Sequence, residues 1–138
     1  MPSRTPLPAR AARLSLVDLD DVGAAAAIVL TQDGHAGATY ELVGSEPLSH
    51  ADLARAIGAT LGRAVRAEAA TVAAWEARAR HAGMGDYERS TLAAMFRYYA
   101  DHGLIGNANT LRFLLGRAPT DFPAFLHRAA TQAATPPR

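Results

Sequence analysis

The sequence of 138 residues contains no cysteine and no lysine. Without cysteine there is no disulfide, no thiolate nucleophile and no cysteine-ligated zinc. Without lysine there is no Schiff-base amine, no phosphate-loop lysine and no Tyr-x-x-x-Lys proton relay, since each depends on an amine whose pKa can be lowered. All 14 basic side chains are arginines, and 13 carboxylates bring the formal net charge to +1. Long apolar runs are missing too. The longest, Val22 to Leu30, has nine residues, whereas a membrane span needs about 20. Arg4, Arg10 and Arg13 near the start are followed by no apolar run of the kind a signal peptide needs. The expectation is a cytoplasmic protein that does not enter the membrane.

Several sequence motifs are also absent. No G-x-G-x-x-G turn follows a strand, so a complete dinucleotide-binding fold is excluded and no cofactor-binding residue is assigned. The five histidines never pair at helical spacing or form H-E-x-x-H, so no metal ligand is assigned. Gly44-Ser45-Glu46-Pro47 lacks the second glycine of a nucleophile elbow. The arginines are scattered and the pI is about 8.3, which speaks against a nucleic-acid partner. No catalytic residue is assigned either.

What is present is the material of one packed domain, with 49% apolar and 20% charged residues. Proline and small residues without apolar periodicity mark residues 1–12 and 133–138 as flexible tails around a domain at 13–132. Short alternating runs at 14–17, 38–43 and 63–67 predict three strands. Asp18 to Asp21 precede an apolar stripe of Val22, Ala25, Ala26 and Val29, the pattern of a capped helix. Ser49 with Asp52 three positions on is a capping box for a helix over 50–61, closed by Gly62. Thr71 predicts the cap of a helix carrying Val72, Trp75, Ala79 and Ala82, and Asp86 the cap of one carrying Leu92, Met95, Phe96 and Tyr99 with Arg89 and Arg97 off the stripe. Asn109 and Thr120 are read as the caps of the last two helices, the second with Phe122, Phe125, Leu126 and Ala129 inward.

The candidate chemistry is sparse. Asp18, Asp20 and Asp21 read as capping carboxylates rather than an acid–base cluster, His35 as a solvated turn residue, and His102 as a helix C-terminal imidazole. Met84, Tyr87, Met95, Phe96, Tyr98 and Tyr99 concentrate polarizable and amphipathic side chains. Met84, Tyr87 and Tyr98, off the core stripe, are the candidate substrate-binding residues.

In order and spacing, Val17-Asp18-Leu19-Asp20-Asp21-Val22, Gly37 to Gly44, Leu48 to Arg63 and Leu115-Gly116-Arg117-Ala118-Pro119-Thr120-Asp121-Phe122 resemble the NmrA-like branch of atypical short-chain dehydrogenase/reductases over about residues 13–131. The resemblance covers only the family's C-terminal, substrate-binding half. It implies an α/β fold, mostly helical, whose short strands form the edge of a Rossmann-type sheet, with the helices from 71 to 102 over a substrate cleft. It implies NAD(P) for the family, but no cofactor for a chain that lacks the nucleotide-binding half. The expectation is therefore a truncated, orphan half without redox activity of its own. The alternatives are a stand-alone small-molecule-binding or dimerisation module and a subunit of a split NAD(P)H-dependent oxidoreductase. The strand at 14–17, or its neighbour at 38–43, should present an open edge, with a homo-oligomer or a separate Rossmann half as partner.

Overall fold

The computed structural model describes residues 12–44 and 46–134, and the two tails expected from the sequence lie mostly outside that range. In chain order the elements are β1 (Arg13–Ser15), α1 (Leu19–Thr31), β2 (Pro47–Ser49), α2 (His50–Leu61), α3 (Val72–His81), α4 (Asp86–His102), α5 (Ala108–Leu115) and α6 (Phe122–Ala134). Helix dominates, and β1 and β2 pair antiparallel with Leu14 opposite Leu48.

The strands depart furthest from expectation. Segments 38–43 and 63–67 form no strand and join no ladder among the described residues, and the strand that does pair with β1, at 47–49, was not anticipated. Its three residues are too few, and begin with a proline, to show alternation. Nor is β1 an open edge. Leu14 faces Leu48 on one side, while on the other Ser15 N–H donates to Leu104 O (2.6 Å) and Leu104 N–H to Arg13 O (3.0 Å). Gly44 N–H donates to Leu16 O at 2.6 Å, tying the end of the 38–44 segment to the end of β1. A Cβ on Gly44 would overlap that same carbonyl oxygen, so only glycine allows the approach. Gly103, at φ +68°, turns the chain after α4 where an added Cβ would overlap Arg13 O, and Leu104 follows it onto β1.

The helix signals are mostly realised. Asp18 caps α1 through Asp20 N–H (3.0 Å), and Thr71 caps α3 through Ala74 N–H (3.1 Å). Ser49 and Asp52 form the reciprocal capping box of α2, and Gly62 ends that helix in the left-handed region. Three caps shift by one or two residues. Gly85 stands at the α4 cap with Asp86 inside the helix, Asn107 rather than Asn109 caps α5, and Asp121 rather than Thr120 caps α6 through Ala124 N–H (2.8 Å). At α5 and α6 a second polar residue lies close by, and side-chain type alone does not choose between neighbours; at α4 a glycine takes the cap without a side-chain bond.

The apolar interior falls into two clusters. One gathers Ala25, Leu111 and Leu114 with Val17, Val29, Tyr40, Leu42 and Leu115, so α1, the 38–44 segment and α5 converge. The other gathers Trp75, Ala79 and Ala93 with Val72, Met84, Leu92 and Phe96, all within the α3–α4 hairpin. The Trp75 and Phe96 rings meet edge to face at 4.9 Å.

Candidate functional site

The last helix is held against the first by charge. Asp21, on the first turn of α1 and 1% exposed, accepts from Arg117 Nη2 and from Thr120 N–H, both at 2.5 Å. Burial alone would raise its pKa, but the Thr120 and Arg117 hydrogen bonds outweigh that and hold the carboxyl below its ordinary value. The bonds fix the turn from Gly116, left-handed at φ +64°, to Asp121. Next to it Asp18, buried at the α1 cap, accepts from Arg128 Nη2 of α6 at 2.5 Å, and Asp20 lies 3.3 Å from the same guanidinium. Asp18 holds the Arg128 pKa above its ordinary value. Of the three aspartates expected as caps, Asp18 alone caps α1, while Asp20 and Asp21 stand in its first turn; Asp18 and Asp20 hold Arg128 of α6, and Asp21 holds the turn before it.

This clamp opens a cavity of about 620 Å³ between the end of β1, the start of β2 and the first turn of α6. Its walls are apolar: Leu16, Val17, Leu48, Pro119, Phe122 and Phe125. Phe122 and Phe125 stack at 6.0 Å with rings 20° apart. The polar lining is Asp18, Glu46, Thr120 and Asp121. The volume lies in the range of small-molecule sites, about 300–1,000 Å³. The sequence marks Thr120 as a cap and Phe122 and Phe125 as inward helix residues, which predicts no cavity. The signal for the cavity was there in an aromatic pair following a Gly-Arg-Ala-Pro turn.

Met84, Tyr87 and Tyr98 lie elsewhere, on the α3–α4 hairpin. Met84 packs half-buried against the Trp75 cluster, and its carbonyl accepts from Arg89 Nη1 at 3.1 Å. Tyr87 is 85% exposed at the start of α4, and Tyr98 is 57% exposed near its end. The Tyr98 ring stacks on His102 at 4.5 Å, and His102 Nδ1 reaches Tyr98 O at 3.1 Å. Arg89, expected off the core stripe, is buried, with its guanidinium bonded to Asp86 and to the Met84 carbonyl. An arginine can enter a core once its donors are satisfied, and here the turn before α4 does so. His35 is half-buried, with Nδ1 2.8 Å from Tyr40 Oη, rather than a solvated turn residue. His50 is pushed below its ordinary pKa by burial, and its Nδ1 has no partner among the described residues. No group of three metal-ligating side chains occurs among the described residues.

No family model matches the chain. It is 35% identical over 134 residues to an NAD(P)H azoreductase of Xenophilus azovorans, covering 93% of this chain but 46% of that protein. The structure superposes on an NADPH-dependent quinone oxidoreductase of Escherichia coli with a TM-score of 0.75, at 25% identity, over 89% of this chain and 45% of the other. It also superposes on the Citrobacter triphenylmethane reductase, solved with NADP(H), with a TM-score of 0.73 at 22% identity, over 90% and 44% of the two chains. A nucleoside-diphosphate-sugar epimerase of Staphylococcus aureus gives a TM-score of 0.73 at 20% identity. The chain therefore spans about half the length of the proteins it matches. No helix among the described residues is long and apolar enough to cross a membrane.

Proposed function

We propose, for a chain that carries the fold of the C-terminal half of an NmrA-like NAD(P)H-dependent reductase, that it is the substrate-side half of such a reductase, without redox activity of its own. It works when completed by a nucleotide-binding half. The carrying observation is the segment Ala38 to Val43. It is packed by Tyr40 and Leu42 onto the first core, yet from Thr39 to Val43 its backbone groups have no backbone partner among the described residues. Five residues of backbone without a backbone partner among the described residues are a template for a further strand. On α1, Leu19 and Leu30 are 79% and 84% exposed, apolar surface that a second half would cover. We assign Met84, Tyr87 and Tyr98 to the substrate side of the completed cleft, where Tyr87 and Tyr98 have ring surface to offer.

Mixing the chain with the part of the azoreductase to which it does not align tests this. NADPH-dependent reduction of an azo compound should appear in the mixture and in neither component. The isolated chain should bind NADPH more weakly than about 10 μM, or about 7 kcal/mol, because pyrophosphate recognition needs a glycine-rich turn at a helix N-terminus. Tighter calorimetric binding would contradict the reading.

A second reading, a stand-alone binding module, is favoured by one feature: β1 is hydrogen-bonded on both sides within the chain. On that reading 39–43 is closed by a second copy of the chain, and light scattering over a concentration series would show a dimer in place of a hetero-complex.

A further inference from the structure

The cavity at the start of α6 has a feature that its apolar walls do not require. Among the described residues its lining includes three carboxylates, from Asp18, Glu46 and Asp121, and no arginine or histidine. Two of the three are engaged. Asp18 accepts from Asp20 N–H and from Arg128, and Asp121 accepts from Ala124 N–H. Glu46 is exposed at the mouth and has no hydrogen bond or ion pair among the described residues. The surrounding shell sets Asp20 and Asp21 against Arg117 and Arg128 and is balanced, so the three lining carboxylates leave the opening net negative.

The chain also shows what chemistry this wall accepts. The Arg128 guanidinium lies 5.7 Å from the centroid of the Phe125 ring while it pairs with Asp18. A delocalised cation between an aromatic face and a carboxylate is therefore already a stable arrangement at the cavity's edge. The parallel Phe122 and Phe125 rings offer flat apolar surface in the cavity itself, and Glu46 stands free as a second counter-ion.

We propose that the cavity is a binding site for a flat aromatic cation, with Phe122 and Phe125 as its stacking wall and Glu46 as its counter-ion. The site is complete within this chain and does not depend on the docking of a nucleotide-binding half. Neutral aromatics gain the apolar contact alone, and aromatic anions meet the negative field.

The test is a fluorescence titration of the full chain, without nucleotide or partner, using three tricyclic probes of the same shape: 9-aminoacridinium, acridine near neutral pH and acridine-9-carboxylate. The cation should bind tightest, the neutral ring more weakly and the anion most weakly. Glu46→Gln should weaken the cation about fivefold, the scale of one partly exposed ion pair, and leave the neutral ring unchanged. Because Glu46 is exposed, this variant keeps the fold, and circular dichroism verifies that. The cation's advantage should shrink at 1 M salt, where the screening length is about 3 Å. Equal affinity for the three probes, preference for the anion, no binding of the cation at millimolar concentration, or an unaltered cation affinity in Glu46→Gln would each overturn the proposal. Loss of reductase complementation with these titrations intact would count against the half-reductase reading alone.

Discussion

The two cores of this chain are built in opposite ways. The α3–α4 hairpin is local, with every member of its cluster between Val72 and Phe96 and its buried Arg89 satisfied within five residues. The α1–α5–α6 region is assembled from distant pieces. Asp21 bonds Arg117 96 positions away, and Asp18 bonds Arg128 110 positions away. A local core needs little loop closure and can form alone, whereas a non-local one is ordered only when the whole chain closes. The long-range region carries the cavity and the unladdered segment 38–43. The cavity and the unladdered segment thus lie in the part of the fold that depends on long-range closure, while Met84, Tyr87 and Tyr98 lie on the locally built hairpin.

Substitutions in each region should separate the two. The largest effect is expected in the hairpin: Trp75→Ala removes a 7% exposed ring packed on Phe96 and should cost about 3–5 kcal/mol in denaturant melts, while acridinium binding at the cavity persists below the melting transition. Asp21→Ala should cost about 3 kcal/mol, because it strips Thr120 N–H and Arg117 of their acceptor. Unlike the first, it should also loosen the 116–121 turn and abolish binding at the cavity. Gly44→Ala forces its Cβ against the Leu16 carbonyl and should cost about 2 kcal/mol, read in the same melts. Ser49→Ala breaks the capping box of α2 for about 1 kcal/mol and should leave ligand binding alone.

The smallest effect is on the acid limb. Ser49 donates to Asp52 and, with Arg55, holds that carboxyl at about 2, below its ordinary 3.8. Its stabilisation is complete above the ordinary value and is lost as pH falls through 3.8 towards 2. Asp21, also lowered, acts in the same direction. Melting temperature should fall over that window, and Asp52→Asn should flatten part of the fall.

The same contrast explains what could be read from the sequence. Helices α1, α2 and α3 were legible because caps and apolar spacing are local signals, and Ser49, Asp52 and Gly62 fall where they were expected. Trp75 as core was legible for the same reason. The pairing of β1 was not, since Pro47 to Ser49 and Leu104 show no alternation and meet β1 only through chain closure. Nor was the clamp. Asp21 and Arg117 look like any other aspartate and arginine in a one-dimensional reading, and no local rule joins residues nearly a hundred positions apart. The cavity follows from that clamp, so it was hidden along with it.

The central claim is that this chain closes its β1 edge and leaves 39–43 open for a second half. Hydrogen exchange on the dilute chain, resolved to single amides, tests it most directly. Ser15 and Leu104, bonded across β1, should exchange slowly, Tyr40 to Val43 should exchange close to the unprotected rate, and adding the complementary part of the azoreductase should slow only the latter set. Protection at 40–43 as strong as at Ser15 in the isolated monomer would contradict the account, because the edge would then already be satisfied within the chain.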